Sequence, residues 1–264
     1  MPNNSEIYYT FSGKGFPVIL LHGYCETHHM WCSFQKELSK NYTVICPDLP
    51  GFGKSNLEHK DFSIADIAKI IRNWIKGLDI QPCILMGHSL GGYIALALAN
   101  RHPELLSGMG LIHSSAFADE EEKKITRDKT IAFIQKVGAG KFIDSFFPSL
   151  FHPENLENPI VKEAIESLSK HGHTLDTDHV VNYMKAMRDR PASLDVLKNF
   201  EEPVLFIAGE NDSRVPLENS IVQSKIPTNA TSFILKNTGH MGMFEKQTEM
   251  LRIIDDFISN TITP

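Results

Sequence analysis

Short apolar runs punctuate the chain, and between them apolar side chains return every three or four positions. Ile7-Tyr8-Tyr9-Thr10-Phe11 reads as a first strand, turned at Ser12-Gly13-Lys14-Gly15. Pro17–Leu21, Tyr42–Cys46, Cys83–Met86, Gly108–His113, Pro203–Ala208 and Thr231–Leu235 read as further strands, most of them apolar enough to be buried on both faces. Helical spacing fills the gaps. Residues from about 28 to 40 supply a crossover helix, and Ile64, Ile67, Ala68, Ile71, Trp74 and Ile75 form one apolar stripe. Tyr93–Ala99 predicts an Ala-rich helix that must stop before Pro103. Leu217–Lys225 predicts another, and Phe244, Met250, Leu251, Ile254 and Phe257 mark a terminal one. Strands alternating with helices predict an α/β fold: a mostly parallel sheet of about seven strands, covered by helices on both faces. In such sheets ligands bind beyond the carboxyl ends of the strands.

Between about 117 and 192 this rhythm breaks. A charged run, Asp119-Glu120-Glu121-Glu122-Lys123-Lys124, opens a stretch with helical spacing at Ile131, Ile134 and Val137, and Phe146-Phe147-Pro148 and Pro153–Pro159 interrupt it. The expectation is a helical cap, 117–192, inserted into a core made of 1–116 and 193–264. The charged run itself reads as a solvated helix start.

Composition narrows the possible partners. With 264 residues and a net charge of −6, and with no long Lys/Arg run, the chain gives no support to nucleic-acid binding. No apolar run approaches a membrane span. The start, Met1-Pro2-Asn3-Asn4-Ser5-Glu6, lacks the basic and apolar blocks of a secretory signal. Cys25, Cys32, Cys46 and Cys83 form no Cys-x-x-Cys pair, so a reduced, cytoplasmic setting is expected. The sequence leaves the oligomeric state open.

Candidate chemistry gathers where strands end. Gly87-His88-Ser89-Leu90-Gly91 sets a serine between two glycines, after an apolar run and before the Ala-rich helix. A serine on such a strand-to-helix turn projects from the end of the sheet, and the glycines are needed because side chains there would clash. The following helix aims its positive end at negative charge developing beside the hydroxyl. A serine at its ordinary pKa is a poor nucleophile and needs a base, which in turn needs an orienting acid. Asp212 in Gly209-Glu210-Asn211-Asp212 and His240 in Thr238-Gly239-His240-Met241 follow two other strands. Each alone is a turn residue, but together with Ser89 they stand on one edge of the sheet in the order Ser, Asp, His.

That order resembles the α/β-hydrolase superfamily over nearly the whole chain. The matching landmarks are His22-Gly23-Tyr24, Asp48–Ser55, Gly87–Gly92, Gly209–Asp212 and Gly239-His240. The resemblance implies a cofactor-independent serine hydrolase, with no metal, acting on a small-molecule acyl substrate. Ser89 is then the nucleophile, His240 the base and Asp212 the orienting acid, and the backbone amides of Tyr24 and Leu90 form the oxyanion hole. Some relatives carry the acid one strand earlier. Here that strand ends in His113-Ser114-Ser115 with no carboxylate before Asp119, so Asp212 is preferred. Only one strand precedes Pro17, so the first edge strand of the longest members is absent. Carbon–carbon bond hydrolysis of the meta-cleavage type is the alternative chemistry, although Met241 stands where those relatives usually carry Trp. Dehalogenase and epoxide hydrolase relatives use an Asp nucleophile, which Ser89 replaces. A lyase or a cofactor-free perhydrolase side activity on the same fold, and a non-catalytic ligand receptor, are the further alternatives.

Several other signals read as structural. His22 ties loops together. Gly53-Lys54-Ser55 resembles a P-loop tail, but Asp48 occupies the position of the required earlier glycine, so a tight loop is expected. His171, His173 and His179, with Asp176 and Asp178, read as a solvated loop-like stretch rather than a metal site. Cys25 has no nearby base. Phe117, Phe133, Phe142, Phe146, Phe147, Phe151 and Met184 suggest an apolar cap lining.

Overall fold

A computed structural model of the protein describes residues 6–58 and 61–263; Met1–Ser5, part of the stretch read above for a secretory signal, lies outside them. Seven strands form one sheet: β1 (Tyr9–Ser12), β2 (Pro17–Leu21), β3 (Thr43–Pro47), β4 (Cys83–His88), β5 (Leu106–Ile112), β6 (Val204–Gly209) and β7 (Ala230–Leu235). Their order is β1-β3-β2-β4-β5-β6-β7. Only β1 runs antiparallel, against β3, and every other pairing is parallel. The expected α/β sheet is present, with β2 bounded as expected and the other strand boundaries shifted by at most two residues. The largest functional shift is in β4, which continues through Gly87 and His88 because these still pair with Leu111 and Ile112 of β5. The strand therefore delivers the chain directly to Ser89.

The helices are α1 (Cys32–Leu38), α2 (Ile64–Leu78), α3 (Leu90–Ala99), α4 (Glu121–Val137), α5 (Ala139–Phe146), α6 (Pro159–Gly172), α7 (Thr177–Asp189), α8 (Leu194–Asn199), α9 (Leu217–Gln223), α10 (Gly242–Glu245) and α11 (Gln247–Ile262). Ser63 and Asp66 close a reciprocal capping box at the start of α2, whose Ile64, Ile67, Ala68, Ile71 and Ile75 are buried, as the spacing predicts. α3 is buried almost all round, since it lies against the sheet and is covered by α2. The terminal stripe is split into α10 and α11, because Lys246 between them leaves helical geometry at φ −137° and ψ 43°. No helix among the described residues is long and apolar enough to cross a membrane.

From β2 the chain crosses to β3 on one side, and from β4 it crosses to β5 on the other. The switch point between β2 and β4 opens a crevice at their carboxyl ends. Helices α4–α7 lie above that edge and are fastened to it. Tyr24 Oη, after β2, donates to Val180 O of α7 at 2.7 Å, and Tyr183 Oη of α7 donates to Pro50 O at 2.7 Å.

The charged run differs from its expectation at one residue. Asp119 is only 5% exposed, held by Arg127 Nε and by Arg190 Nη1 at 2.9 Å, while Glu121 and Glu122 begin α4 in solvent. Its buried partner Arg190 is distant in sequence, so the local charge pattern could not reveal its burial.

Candidate active site

The turn after β4 is held by close approach. A Cβ on Gly87 would lie 2.1 Å from the carbonyl carbon of Gly91, and one on Gly91 would lie 2.8 Å from the His22 carbonyl at the end of β2. Ser89 itself adopts φ 49° and ψ −109°, a conformation that costs on the order of 1–3 kcal/mol unless its surroundings fix it. They do: its amide donates to Ile112 O at 2.9 Å, and its carbonyl accepts from Ser114 Oγ at 2.7 Å and from Gly92 N at 3.0 Å. Leu90 is the first residue of α3, so the helical ladder offers its amide no carbonyl.

Asp212 and His240 follow β6 and β7, and the fold brings them into contact. His240 Nδ1 lies 2.8 Å from Asp212 Oδ2 and 3.0 Å from Oδ1. Asp212 Oδ1 also accepts the amides of Arg214 at 2.7 Å and Val215 at 3.0 Å. Its Oδ2 meets His113 Nδ1 at 3.2 Å. Burial alone would raise the Asp212 pKa, but His240 and His113 hold the carboxyl far below its ordinary range. Burial pushes His240 down to about 4 against the pull of Asp212, which leaves the imidazole neutral and able to accept a proton. The ligand-type atoms of His113, Asp212 and His240 lie within 4.8 Å of one another, yet nitrogen donors already occupy both carboxylate oxygens.

Three residues that the sequence reading did not single out complete the setting. His113, at φ 47° just past β5, buries an Nε2 that meets no partner among the described residues, consistent with Nδ1–H donating to Asp212. His88 lies beneath the elbow, with Nδ1 3.0 Å from Glu26 Oε2 and Nε2 3.0 Å from the carbonyl of His240. Both of its nitrogens face acceptors, so His88 is an imidazolium paired with a carboxylate. Burial opposes that charge, but Glu26 outweighs it and raises the His88 pKa; burial likewise opposes the Glu26 carboxylate, and His88 lowers it. Glu26 Oε2 also accepts the Gly23 amide at 2.6 Å, which fixes the turn that presents Tyr24.

The residues read as structural behave so. His22 Nε2 accepts the Leu49 amide at 2.8 Å, which leaves Nδ1–H for Gly23 O at 2.8 Å. Gly53, at φ 56°, leaves room for Asp48, whose Oδ2 accepts the Lys54 amide at 2.9 Å in a tight loop. The Cys25 thiol is buried, which pushes its pKa up. His171, His173 and His179 lie on or just after helices α6 and α7 rather than in a loop; His173 Nε2 pairs with Asp144 at 2.7 Å, and His179 Nε2 bonds to Leu57 O at 3.0 Å.

Ser89 and His240 line one cavity of about 230 Å³, roofed by α4, α5 and α7. The expected apolar lining is present at Phe142, Phe146 and Met184. Phe147 and Phe151 are instead buried in the packing beneath, and Phe133 is 45% exposed on the outer face of α4. Lys123, Arg127 and Arg214, none of them anticipated from the apolar pattern, also reach the cavity.

Comparison with known proteins gives a consistent result. A family model described as alpha/beta hydrolase fold matches residues 17–247. An (E)-2-((N-methylformamido)methylene)succinate hydrolase of Acinetobacter baylyi is 25% identical over 248 residues, covering 91% of this chain and 89% of the relative. A monoacylglycerol lipase of Xenopus laevis is 24% identical, covering 97% and 80%. Among solved structures, a thermophilic esterase of Thermogutta terrifontis with malate bound superposes with a TM-score of 0.92 at 25% identity, covering 99% of this chain and 96% of that one.

Proposed function

The chain belongs to the alpha/beta hydrolase fold family, and from that premise we propose that it is a cofactor-independent serine hydrolase, cleaving a carboxylic ester or thioester through an acyl-enzyme on Ser89. The observation that carries this reading is the 2.8 Å contact between His240 Nδ1 and Asp212, with His240 and Ser89 facing the same cavity. Residues 117–192 act as its cap over a core of 1–116 and 193–264.

In the first half-reaction Ser89 Oγ attacks the substrate carbonyl and its proton passes to His240 Nε2. Asp212, fully engaged as a carboxylate, fixes the Nδ1–H tautomer and stabilises the imidazolium without taking the proton. The oxyanion forms against the amides of Tyr24 and Leu90, a pair in which each donor is worth roughly 10²–10³ in rate. Collapse breaks the bond to the leaving alcohol or thiol, which takes the proton from His240. In the second half, His240 removes a proton from water, the hydroxide attacks the acyl carbon, and Ser89 leaves as the hydroxyl. The esterase and lipase named above support this class of bond.

The test is labelling by a fluorophosphonate, which reacts only with an activated serine. Labelling at Ser89, and loss of p-nitrophenyl ester hydrolysis by roughly 10⁴-fold or more in Ser89→Ala, are expected. An unlabelled protein that still binds small ligands would instead be a receptor on this fold.

A further inference from the structure

The cavity beside Ser89 has a charge that the whole molecule lacks. The chain carries a net charge of −6, yet Lys123, Arg127 and Arg214 line this cavity and no carboxylate among the described residues does. One compensating group is buried Asp119, which is shared among three cations: Arg127 through Nε, Arg190 at 2.9 Å and Lys123 at 3.6 Å. Arg190 is a structural partner, because it also donates to Phe117 O at 2.9 Å and packs 3.9 Å over the Tyr93 ring. Lys123 is spent on tying α4 to the loop after β6, donating to Arg214 O at 2.9 Å.

That leaves two guanidinium groups on the cavity. Arg127 gives its Nε to Asp119, but the partners of its Nη1 among the described residues are thioethers, Met184 Sδ at 3.2 Å and Met187 Sδ at 3.9 Å. Thioether sulfur is a weak acceptor, so the charged edge of the fork is poorly matched. Arg214 donates to the Ser149 hydroxyl and lies 5.5 Å over the Phe146 ring, with no ion pair to its guanidinium among the described residues. Asp212, two residues away, has given its oxygens to amides and imidazoles. Loss of solvent lowers the Arg214 pKa, Asp212 opposes this, and the like charge of Arg127 lowers it further, so the two guanidinium groups feel each other. Two guanidinium groups lining one cavity, with no carboxylate among its described lining residues, suit an anion.

Resting on the hydrolase reading above, the geometry points to a substrate that carries its own carboxylate: a short ester or thioester whose free acid sits between Arg127 and Arg214 while its acyl carbon meets Ser89. The cavity of about 230 Å³ suits a small anionic molecule rather than a long acyl chain.

The test compares p-nitrophenyl hydrogen glutarate with neutral p-nitrophenyl hexanoate, each corrected for its own uncatalysed hydrolysis. A third ester, 4-carboxyphenyl butyrate, places the acid on the leaving group instead. At low ionic strength the wild type is expected to favour one of the carboxylated esters by about 10-fold or more in kcat/KM, a preference that shrinks as salt rises. Arg214→Gln and Arg127→Gln should each lower that charged-to-neutral ratio by roughly 10-fold. Arg127 also neutralises buried Asp119, so Arg214→Gln, which breaks no ion pair among the described residues, decides the matter if Arg127→Gln fails to fold. Calorimetric titration with glutarate reads the anion site without turnover, with a Kd about 10-fold weaker in Arg214→Gln. If Ser89 is labelled and the hexanoate ester is cleaved, but neither acid is preferred and the ratio survives both substitutions, the carboxylate inference is wrong and the hydrolase reading stands. If glutarate binds as described while Ser89 is neither labelled nor needed for turnover, the reverse holds.

Discussion

His240 carries the proton in the proposed chemistry, and its surroundings set the pH at which it can do so. The imidazole must be neutral to act as base, so activity is lost as pH falls through its pKa. Burial presses that value down to about 4 from an ordinary 6.5, while Asp212 pulls the other way. The acid limb of kcat/KM should therefore lie well below pH 6.5, with activity flat between about pH 6.5 and 8. A limb at or above 6.5 would mean that Asp212 outweighs burial at this site. At this scale the sequence was most informative: Ser89, Asp212 and His240 were each legible as a polar residue at the end of an apolar run. Their order resembled a known triad because the fold, not the local sequence, makes them neighbours. His113 also ends an apolar run, but its contact with Asp212 is one that no spacing reveals.

At the scale of elements, the strands and the helices that cover them were legible because each buries a continuous run or a regular stripe. The contacts between loops were not. Glu26 follows β2 and His88 ends β4, and their pairing joins the turn that presents Tyr24, the elbow beneath Ser89 and the carbonyl of His240. Removing the negative charge with Glu26→Gln keeps an acceptor for the Gly23 amide but takes away what keeps His88 protonated. Neutral His88 then has one N–H for two acceptors, and either the Tyr24 turn or the His240 loop is released. The expected result is a fall in kcat of roughly 10-fold or more with a smaller change in KM. A second readout separates this positioning role from mere loss of structure. The His88 charge is one of the groups that lower the His240 pKa, so its loss should move the acid limb of the rate profile to higher pH. A variant with lower kcat and an unmoved limb would indicate general loosening only. The same invisibility hid the burial of Asp119 and the cationic side of the cavity, because Arg127 and Arg190 reach Asp119 from α4 and from beyond α7.

Over the whole molecule, the helices above the sheet share its core rather than resting on it. Tyr183 of α7 is fully buried, stacks on Phe52 at 4.5 Å and bonds to Pro50 O, while Tyr24 reaches Val180 in return. Ile134, Phe147 and Val180 belong to the same buried cluster as Leu21, Met86 and Ile207 of the sheet. A segment joined in this way has little stability of its own, since its apolar faces are satisfied only by the strands and loops below. On the cap reading proposed above, the break in the strand–helix rhythm after residue 117 marks no independent folding unit. Thermal unfolding should show one calorimetric transition, with van't Hoff and calorimetric enthalpies in agreement. Tyr183→Ala removes a large buried ring and its hydrogen bond, a loss of about 3–5 kcal/mol by analogy with other buried aromatics. For a chain of this size that corresponds to a fall in Tm of roughly 6–20 °C. The decisive feature is the shape of the transition: the single peak should move down intact. Two peaks, with only the lower one displaced by the substitution, would show that the helical segment unfolds apart from the sheet and that its contacts are those of a docked, separable lid.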